Sequence, residues 1–424
     1  MKILIITKYE WDNGLAGGNT LTNLFGDWSD VELYNIYCRD APPCNACCHY
    51  YYTVSPIDLV KHIFTPWKIG REFTYQGLGN NNTYPRTIHE ASLKKMSKRY
   101  QLAFDIAYDL LYSTRAWLNK RLKIFIQTVN PDLVFLFGTP DSFNYLLAKY
   151  LKKKAGVPIV AYFVDDHYNK AANKYNLFNI WHKKRLKKTA EMASKCYAIS
   201  QQMCDEYSFT FNKSFSLLFK GCDLSGVKTN ICTPIKIVYA GNLYYGRDVV
   251  LTELAKAIAH INAKSQRVHL DIYSSTVISK EISSILNRVE VSSLHSPRPY
   301  EEIKRILHEA DIVLHVESFD KEQINSVRLS FSTKITDCIQ SGAKVLAIGP
   351  HSIASIRFLE TIPGVTVVTD MTLIIKTLQG LLQSREHLYE DALATYSYAS
   401  THLTKECLTK RFRSDLFSLI RINS

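Results

Sequence analysis

Ser332-Thr333-Lys334-Ile335-Thr336-Asp337-Cys338-Ile339-Gln340-Ser341-Gly342 leads through Ala343 into Lys344-Val345-Leu346-Ala347-Ile348-Gly349-Pro350, and reads as a capped helix running into a buried strand. Ser332 and Thr333 are residue types that cap helix starts, so the first free N–H groups, with Lys334 beside them, are expected to aim positive charge outward. A phosphate or diphosphate fits such a place. Asp337, three residues on, is placed to reach back to ribose hydroxyls. Gly342 ends the helix and residues 344–348 form the strand. The plain alternative is a capped helix with no ligand.

At 424 residues the chain is long for one core and suits two domains of about 200 residues. No apolar stretch is long enough to span a membrane and the start does not read as a signal peptide, so an intracellular protein is expected. Ten cysteines are scattered along the chain, and without an export signal reduced thiols are expected. Cys44-x-x-Cys47-Cys48-His49 is the one cluster with metal-like spacing, but no second Cys/His pair follows downstream, so no metal is assigned.

Lys plus Arg outnumber Asp plus Glu by 52 to 39, a formal charge of +13. That balance suits polyanionic or anionic-membrane partners. The densest run, Lys183-Lys184-Arg185-Leu186-Lys187-Lys188, lies in an expected helix with Trp181 and Met192. It reads either as a solvated face or as a patch for an anionic lipid surface, where each exposed cation contributes about 1 kcal/mol. Nucleic acid is not expected, because aromatic residues do not interleave with the run and no finger or RNP-type motif occurs.

Apolar runs alternate with helical patterns along the whole chain. Ile3–Ile6 is an expected strand, followed by the glycine-rich Asn13-Gly14-Leu15-Ala16-Gly17-Gly18-Asn19-Thr20 and a helix through Leu24 and Phe25. The glycines do not make the GxGxxG spacing of dinucleotide sites. Residues 91–130 look helical, broken at Asn130-Pro131. Residues 131–138 read as a strand followed by a loop and 158–164 as a buried strand, around a helix over 142–155 that ends at Gly156. Asp165-Asp166-His167 then fall at a strand's C-terminal end, where α/β sites are built. Short strands follow at 196–200 and 215–219, and the polar stretch 225–234 reads as an interdomain linker. The second half repeats the alternation: a strand at 236–240 runs into Gly241-Asn242-Leu243-Tyr244-Tyr245-Gly246-Arg247, further strands lie at 269–273, 311–316, 344–348 and 365–368, and Glu317 follows the strand at 311–316. Helices are expected over 352–359, 372–383 and the last 35 residues.

These motifs, in this order, resemble the GT-B glycosyltransferases, especially the family-4-like retaining enzymes of bacterial surface-polysaccharide biosynthesis. The resemblance implies an α/β GT-B fold of two Rossmann-like domains facing a central cleft: 1–224 for the acceptor, a linker at 225–234, 235–390 for the nucleotide sugar, and a helical tail, 391–424, crossing back to the first domain. It implies a metal-independent transfer of a sugar from a nucleotide-diphosphate donor, UDP- or GDP-linked, to a saccharide acceptor, lipid-linked on the cytoplasmic membrane face. No cofactor is needed.

By the same resemblance the catalytic candidates are Asp166, His167, Glu317, Arg247 and Lys334. Arg247 and Lys334 would hold the diphosphate, Glu317 and the 165–167 loop the sugar. The nucleotide-contacting candidates are Gly17, Gly18, Gly241, Asn242, Ser332, Thr333 and Asp337. The loop 295–303 would seat the base through backbone contacts. Three departures from the family pattern stand out: Asp337 replaces a Glu, Leu329 replaces the acid eight residues upstream, and Asn242 stands where Arg is common. Either Glu317 or Glu322 is left to serve for the missing acid. Two other functions remain open: a GT-B-fold nucleotide-sugar 2-epimerase, and a noncatalytic sugar-nucleotide or glycan-binding protein.

Overall fold

The computed structural model describes residues 1–13, 16–41, 45–48, 50–62, 64–75, 98–169 and 177–421. Two compact units emerge, Met1–Leu218 with Arg411–Ser424, and Phe219–Lys410.

In the first unit, β1 (Lys2–Ile6), β2 (Glu32–Tyr37), β3 (Tyr50–Thr53), β4 (Arg71–Thr74), β5 (Leu133–Phe137), β6 (Ile159–Phe163), β7 (Lys195–Ala198) and β8 (Phe215–Leu217) form one sheet. Its order is β4-β3-β2-β1-β5-β6-β7-β8, with β4 antiparallel and all other pairs parallel. β5 and β6 are buried at every residue, the mark of a parallel sheet covered on both faces. The sequence did not announce β2, β3 or β4: Tyr50-Tyr51-Tyr52-Thr53 is too short and too polar at its hydroxyls to stand out. Helix ends follow the punctuation residues. Asn130 ends Lys120–Val129 and Gly156 ends Ser142–Ala155, both in left-handed backbone.

The C-terminal helix Lys405–Arg421 delivers Phe412 into the first unit, where its ring packs on Phe25, Trp28, Phe135 and Tyr197 at centroid distances of 5.4–6.0 Å. Asp415 adds a 2.6 Å bond from the Tyr197 hydroxyl and an ion pair with Lys195.

The second unit holds β9 (Ile235–Ala240), β10 (Val268–Tyr273), β11 (Ser292–His295), β12 (Ile312–Val316), β13 (Lys344–Ile348) and β14 (Thr366–Val368). All are parallel, in the order β11-β10-β9-β12-β13-β14. Ile237, Leu270, Ile272, Leu314, Leu346 and Ile348 pack there with Val250, Leu254 and Ile258 of the helix Arg247–Ile261. The order reverses between β9 and β12, and residues 241–247 and 317 follow those two strands. That is the switch point of a doubly wound sheet, where ligands of such sheets bind.

The polar stretch 225–234 is bound to the second unit along its length. Lys228 donates its backbone N–H to Gly342 O at 3.1 Å and its ammonium to buried Asp311 at 2.5 Å, and Cys232 N–H reaches the same carboxylate at 3.1 Å. Gly342 sits at φ +70°, and a Cβ there would strike the Gly226 carbonyl.

Candidate functional site

The loop after β9 is shaped to aim one arginine. Tyr239 OH donates to Asn242 O at 2.6 Å and Leu243 N–H to Thr276 Oγ1 at 3.0 Å, which fixes the start of the loop. Tyr245 and Gly246 then both take left-handed backbone, φ +62° and +72°. At 246 a side chain would also meet Ser318. The chain thereby turns sharply enough for Arg247 to open the helix Arg247–Ile261 with its guanidinium directed back at the strand ends.

There Arg247 meets Glu317. Nη2 donates to Oε2 at 2.8 Å and Oε1 at 3.0 Å, Nε donates to Val316 O at 3.1 Å, and Nη1 donates to Asn242 Oδ1 at 2.8 Å. The Glu317 side chain is 3% exposed. Burial raises its pKa against the opposing pull of Arg247. The two residues expected as separate diphosphate and sugar contacts are thus bonded to each other. Of the two acids left open by the sequence, Glu317 is at this site. Glu322 is exposed in the first turn of Lys321–Val327, and Leu329 is buried.

Lys334 points into the same place: a Cβ on Gly241 would collide with its Nζ. Among the described residues this ammonium has no hydrogen bond or ion pair. Burial and the nearby Arg247 charge lower its pKa to about 8. His315 lies beneath, its Nε2 3.1 Å from Ser355 Oγ and 3.4 Å from Glu317 Oε1. Burial first, then the Arg247 and Lys334 charges, push it down to about 3, so the imidazole is neutral. His315 escaped the sequence reading because it lies inside an apolar run that looks like plain core.

The helix Lys334–Gln340 begins differently from expectation. Thr333 occupies the cap position in helical backbone, and its hydroxyl makes no cap bond. Ser332 Oγ accepts only a long 3.4 Å bond from Lys334 N–H. An N-cap needs extended backbone to swing its oxygen over the open N–H groups, and Thr333 does not provide it. Gly342 does end this segment in left-handed backbone. Asp337 is engaged by two residues the sequence did not single out, Lys220 at 3.0 Å and Tyr300 at 2.8 Å.

In the first unit, Gly17 and Gly18 lie within the first turn of the helix Ala16–Phe25 rather than in a preceding loop. Gly18 is required by packing, since a Cβ would strike Asp12 O; at Gly17 a Cβ would make ordinary contact with Phe137. Asp166 is buried, and its oxygens accept from Asn169 N–H at 3.0 Å, Asn169 Nδ2 at 3.1 Å and Tyr207 OH at 2.9 Å. A carboxylate so bonded holds its loop together. Asp165 is exposed and His167 half-buried beside it.

Cys44 and His49 lie outside the described residues, so the Cys44–His49 cluster is not described. Among the described residues no group of three His, Cys, Asp or Glu side chains is arranged to hold a metal ion. None of the described helices is long and apolar enough to cross a membrane.

The basic run falls on the helix Leu177–Met192. Arg185 turns inward, donating to Asp109 at 2.6 Å, and Lys183 lies over the Tyr168 ring. Of the five cations, three remain exposed: Lys184, Lys187 and Lys188. Leu177, Ile180 and Trp181, 74%, 46% and 54% exposed, continue the same face toward the helix start at i, i+3, i+4 and i+7 spacing.

The trehalose-6-phosphate phosphatase N-terminal domain of Candida albicans superimposes with a TM-score of 0.64 at 13% identity, over 99% of this chain and 97% of that one. HepE of Anabaena, solved with UDP and glucose, gives 0.62 at 12% identity over 99% and 100%. An E. coli trehalose-6-phosphate protein bound with UDP-2-fluoro glucose gives 0.61 at 8% identity over 98% and 99%. The fold is GT-B. At these identities the likeness speaks for the fold alone, and the GT-B chain here matches it through both Rossmann-like units and the C-terminal helix. No protein-family model matches the sequence, and no curated protein matches it either.

Proposed function

We propose that the chain is a nucleotide-sugar-dependent glycosyltransferase that transfers a sugar, with retention, from a nucleoside-diphosphate donor to a saccharide acceptor. The observation that carries this reading is the pairing of Arg247 with an unpartnered, charge-depressed Lys334 at the switch point of the second sheet. Burial first, and then the nearby Arg247 charge, lower the Lys334 pKa, so the two cations repel each other in a half-buried place. A diphosphate relieves that repulsion. Arg247 engages Glu317 through Nε and Nη2 and Asn242 through Nη1, and the second N–H of Nη1 remains for a phosphate oxygen.

In this mechanism the Arg247 and Lys334 charges stabilise the negative charge that develops on the leaving diphosphate. Glu317, anchored by Arg247 and by its backbone N–H to Ile348 O, positions the donor sugar. Asp337 takes the ribose. His167 and Asp165 contact the acceptor, and Asp166 fixes their loop. The leaving diphosphate accepts the acceptor's proton, so no strong base is required. Solved neighbours of this fold carry UDP or a UDP sugar, which makes UDP-linked donors the first to test. The acceptor is proposed to be lipid-linked, with the Lys184–Lys188 face resting on an anionic bilayer.

Calorimetric titration with UDP and GDP tests the donor site: binding lost in Arg247→Ala and Lys334→Ala supports it, and binding unchanged in both sinks it. Incubation with the UDP sugar alone separates the alternatives. Epimer appearing without acceptor would favour a 2-epimerase over a transferase.

A further inference from the structure

We propose that Lys220 and Tyr300 are positioning residues that brace the Asp337 carboxylate through one oxygen, so that its other oxygen is presented to the ribose diol of the nucleotide. This rests on the sugar-nucleotide reading above.

The bonding is one-sided. Lys220 Nζ donates to Asp337 Oδ1 at 3.0 Å and to Tyr300 OH at 2.8 Å. Tyr300 OH passes its own proton to the same Oδ1 at 2.8 Å, and Gln340 Nε2 approaches that oxygen at 3.4 Å. Among the described residues none bonds to Oδ2. A carboxylate oxygen offers two acceptor directions, so Oδ2 is left to receive two hydroxyls side by side.

Lys220 is built in rather than draped over the surface. Its side chain is 6% exposed, and burial alone would lower its pKa, but Asp337 and Tyr300 more than offset that and hold the ammonium charged. Its neighbour Phe219 packs on Phe331 and Phe358 at 5.2 and 5.4 Å. Two residues further, Cys222 exchanges backbone bonds with Leu403 O (2.7 Å) and Lys405 N–H (3.0 Å), and Asp223 N–H reaches Gln340 Oε1 at 3.2 Å. The lysine backbone is therefore pinned on both sides. Tyr300 is held in turn with Lys220 and Lys304 at 5.2 and 5.0 Å from its ring centre. A shorter acid than the expected glutamate has less reach, and a fixed cation and phenol replace reach with rigidity. A merely structural ion pair would also be buried and bonded, but nothing would require its bonds to fall on a single oxygen.

The test is calorimetric titration of the full chain with UDP, its 2′-deoxy and 3′-deoxy forms, and inorganic pyrophosphate, for the native protein and for Lys220→Met, Tyr300→Phe and Asp337→Asn. The native protein is expected to prefer UDP over the deoxy forms. Each variant is expected to narrow that preference by about fivefold or more while pyrophosphate affinity stays within about twofold. Tyr300→Phe removes one hydroxyl and keeps the ring, so it reports even if Lys220→Met fails to fold. A full ribose preference retained in Tyr300→Phe, or an equal loss for all four ligands, overturns the proposal while leaving nucleotide binding intact. A native protein that binds UDP without discriminating the deoxy forms also overturns it. Failure of the native protein to bind any of these ligands sinks the parent reading with it.

Discussion

Arg247 and Glu317 share two N–H···O contacts of 2.8 and 3.0 Å from a single guanidinium nitrogen, with the carboxylate almost wholly enclosed. Removing one member of a buried pair strands the other charge, at a cost of about 3–5 kcal/mol. Glu317→Ala is therefore expected to melt well below the native protein, whereas Glu317→Gln, which still accepts from Arg247, is expected to keep most of the stability. Arg247→Ala is expected to lose about 10²–10³ in transfer rate in addition to stability. Differential scanning calorimetry and initial-rate assays read the two effects separately. A fully stable Glu317→Ala would mean that the pair is not buried as described.

Gly241 leaves room for one ammonium group. A Gly241→Ala methyl would strike Lys334 Nζ, the mobile end of a side chain, so the lysine moves and the fold stays. Diphosphate affinity is expected to fall about 10–100-fold, the worth of one charge-assisted bond, with little change in Tm. Unchanged affinity would show that Lys334 is not a phosphate contact.

Lys334 gives the site a pH signature. With a pKa near 8 it is largely neutral at pH 9 in the ligand-free protein, and an arriving diphosphate raises that pKa again. Binding near pH 8.5 should take up a proton, seen as a buffer-dependent heat, and affinity should fall above pH 8. For stability the sign is opposite: between about pH 8 and the unfolded lysine's pKa the unfolded chain binds more protons, so this group's contribution rises with pH. Lys334→Met should abolish both effects.

His315 sets an acid limit. Its pKa falls from 6.5 to about 3 on folding, so below pH 6.5 the unfolded chain binds a proton that the native one excludes. Its contribution is lost as pH falls through that window, by about 1.4 kcal/mol per pH unit. His315→Gln should flatten stability between pH 6 and 4, measured by urea denaturation. An unchanged slope would place the acid sensitivity elsewhere.

The helix Leu177–Met192 offers three exposed lysines, together about 3 kcal/mol of attraction to an anionic bilayer. Cosedimentation with phosphatidylglycerol-containing vesicles should be lost in Lys184→Ala/Lys187→Ala/Lys188→Ala and weakened in Trp181→Ala, with donor binding unchanged. Equal binding to neutral vesicles would refute the charge argument.

Much of the second half of the molecule was readable because β9, β12 and β13 are largely apolar runs, each ended by a glycine or a polar loop, whereas the short, polar β11 gave no such signal. Arg247, Glu317 and Lys334 could be found because each follows such a signal. Lys220 could not: 117 residues separate it from Asp337, and no local pattern marks it. The surroundings of Asp166 were hidden for a related reason. Sequence places an acid at a strand end but does not reveal that Tyr207, 41 residues later, turns inward to occupy it. Thr333 shows a third limit, because capping depends on backbone angles as well as residue type.

Phe412 carries a consequence for how the chain matures. The first unit closes its aromatic centre with a ring encoded almost two hundred residues after β8. During synthesis that unit must wait, unfinished, until the second unit has also been made. A fragment cut at residue 218 would keep all eight strands and still lack its keystone.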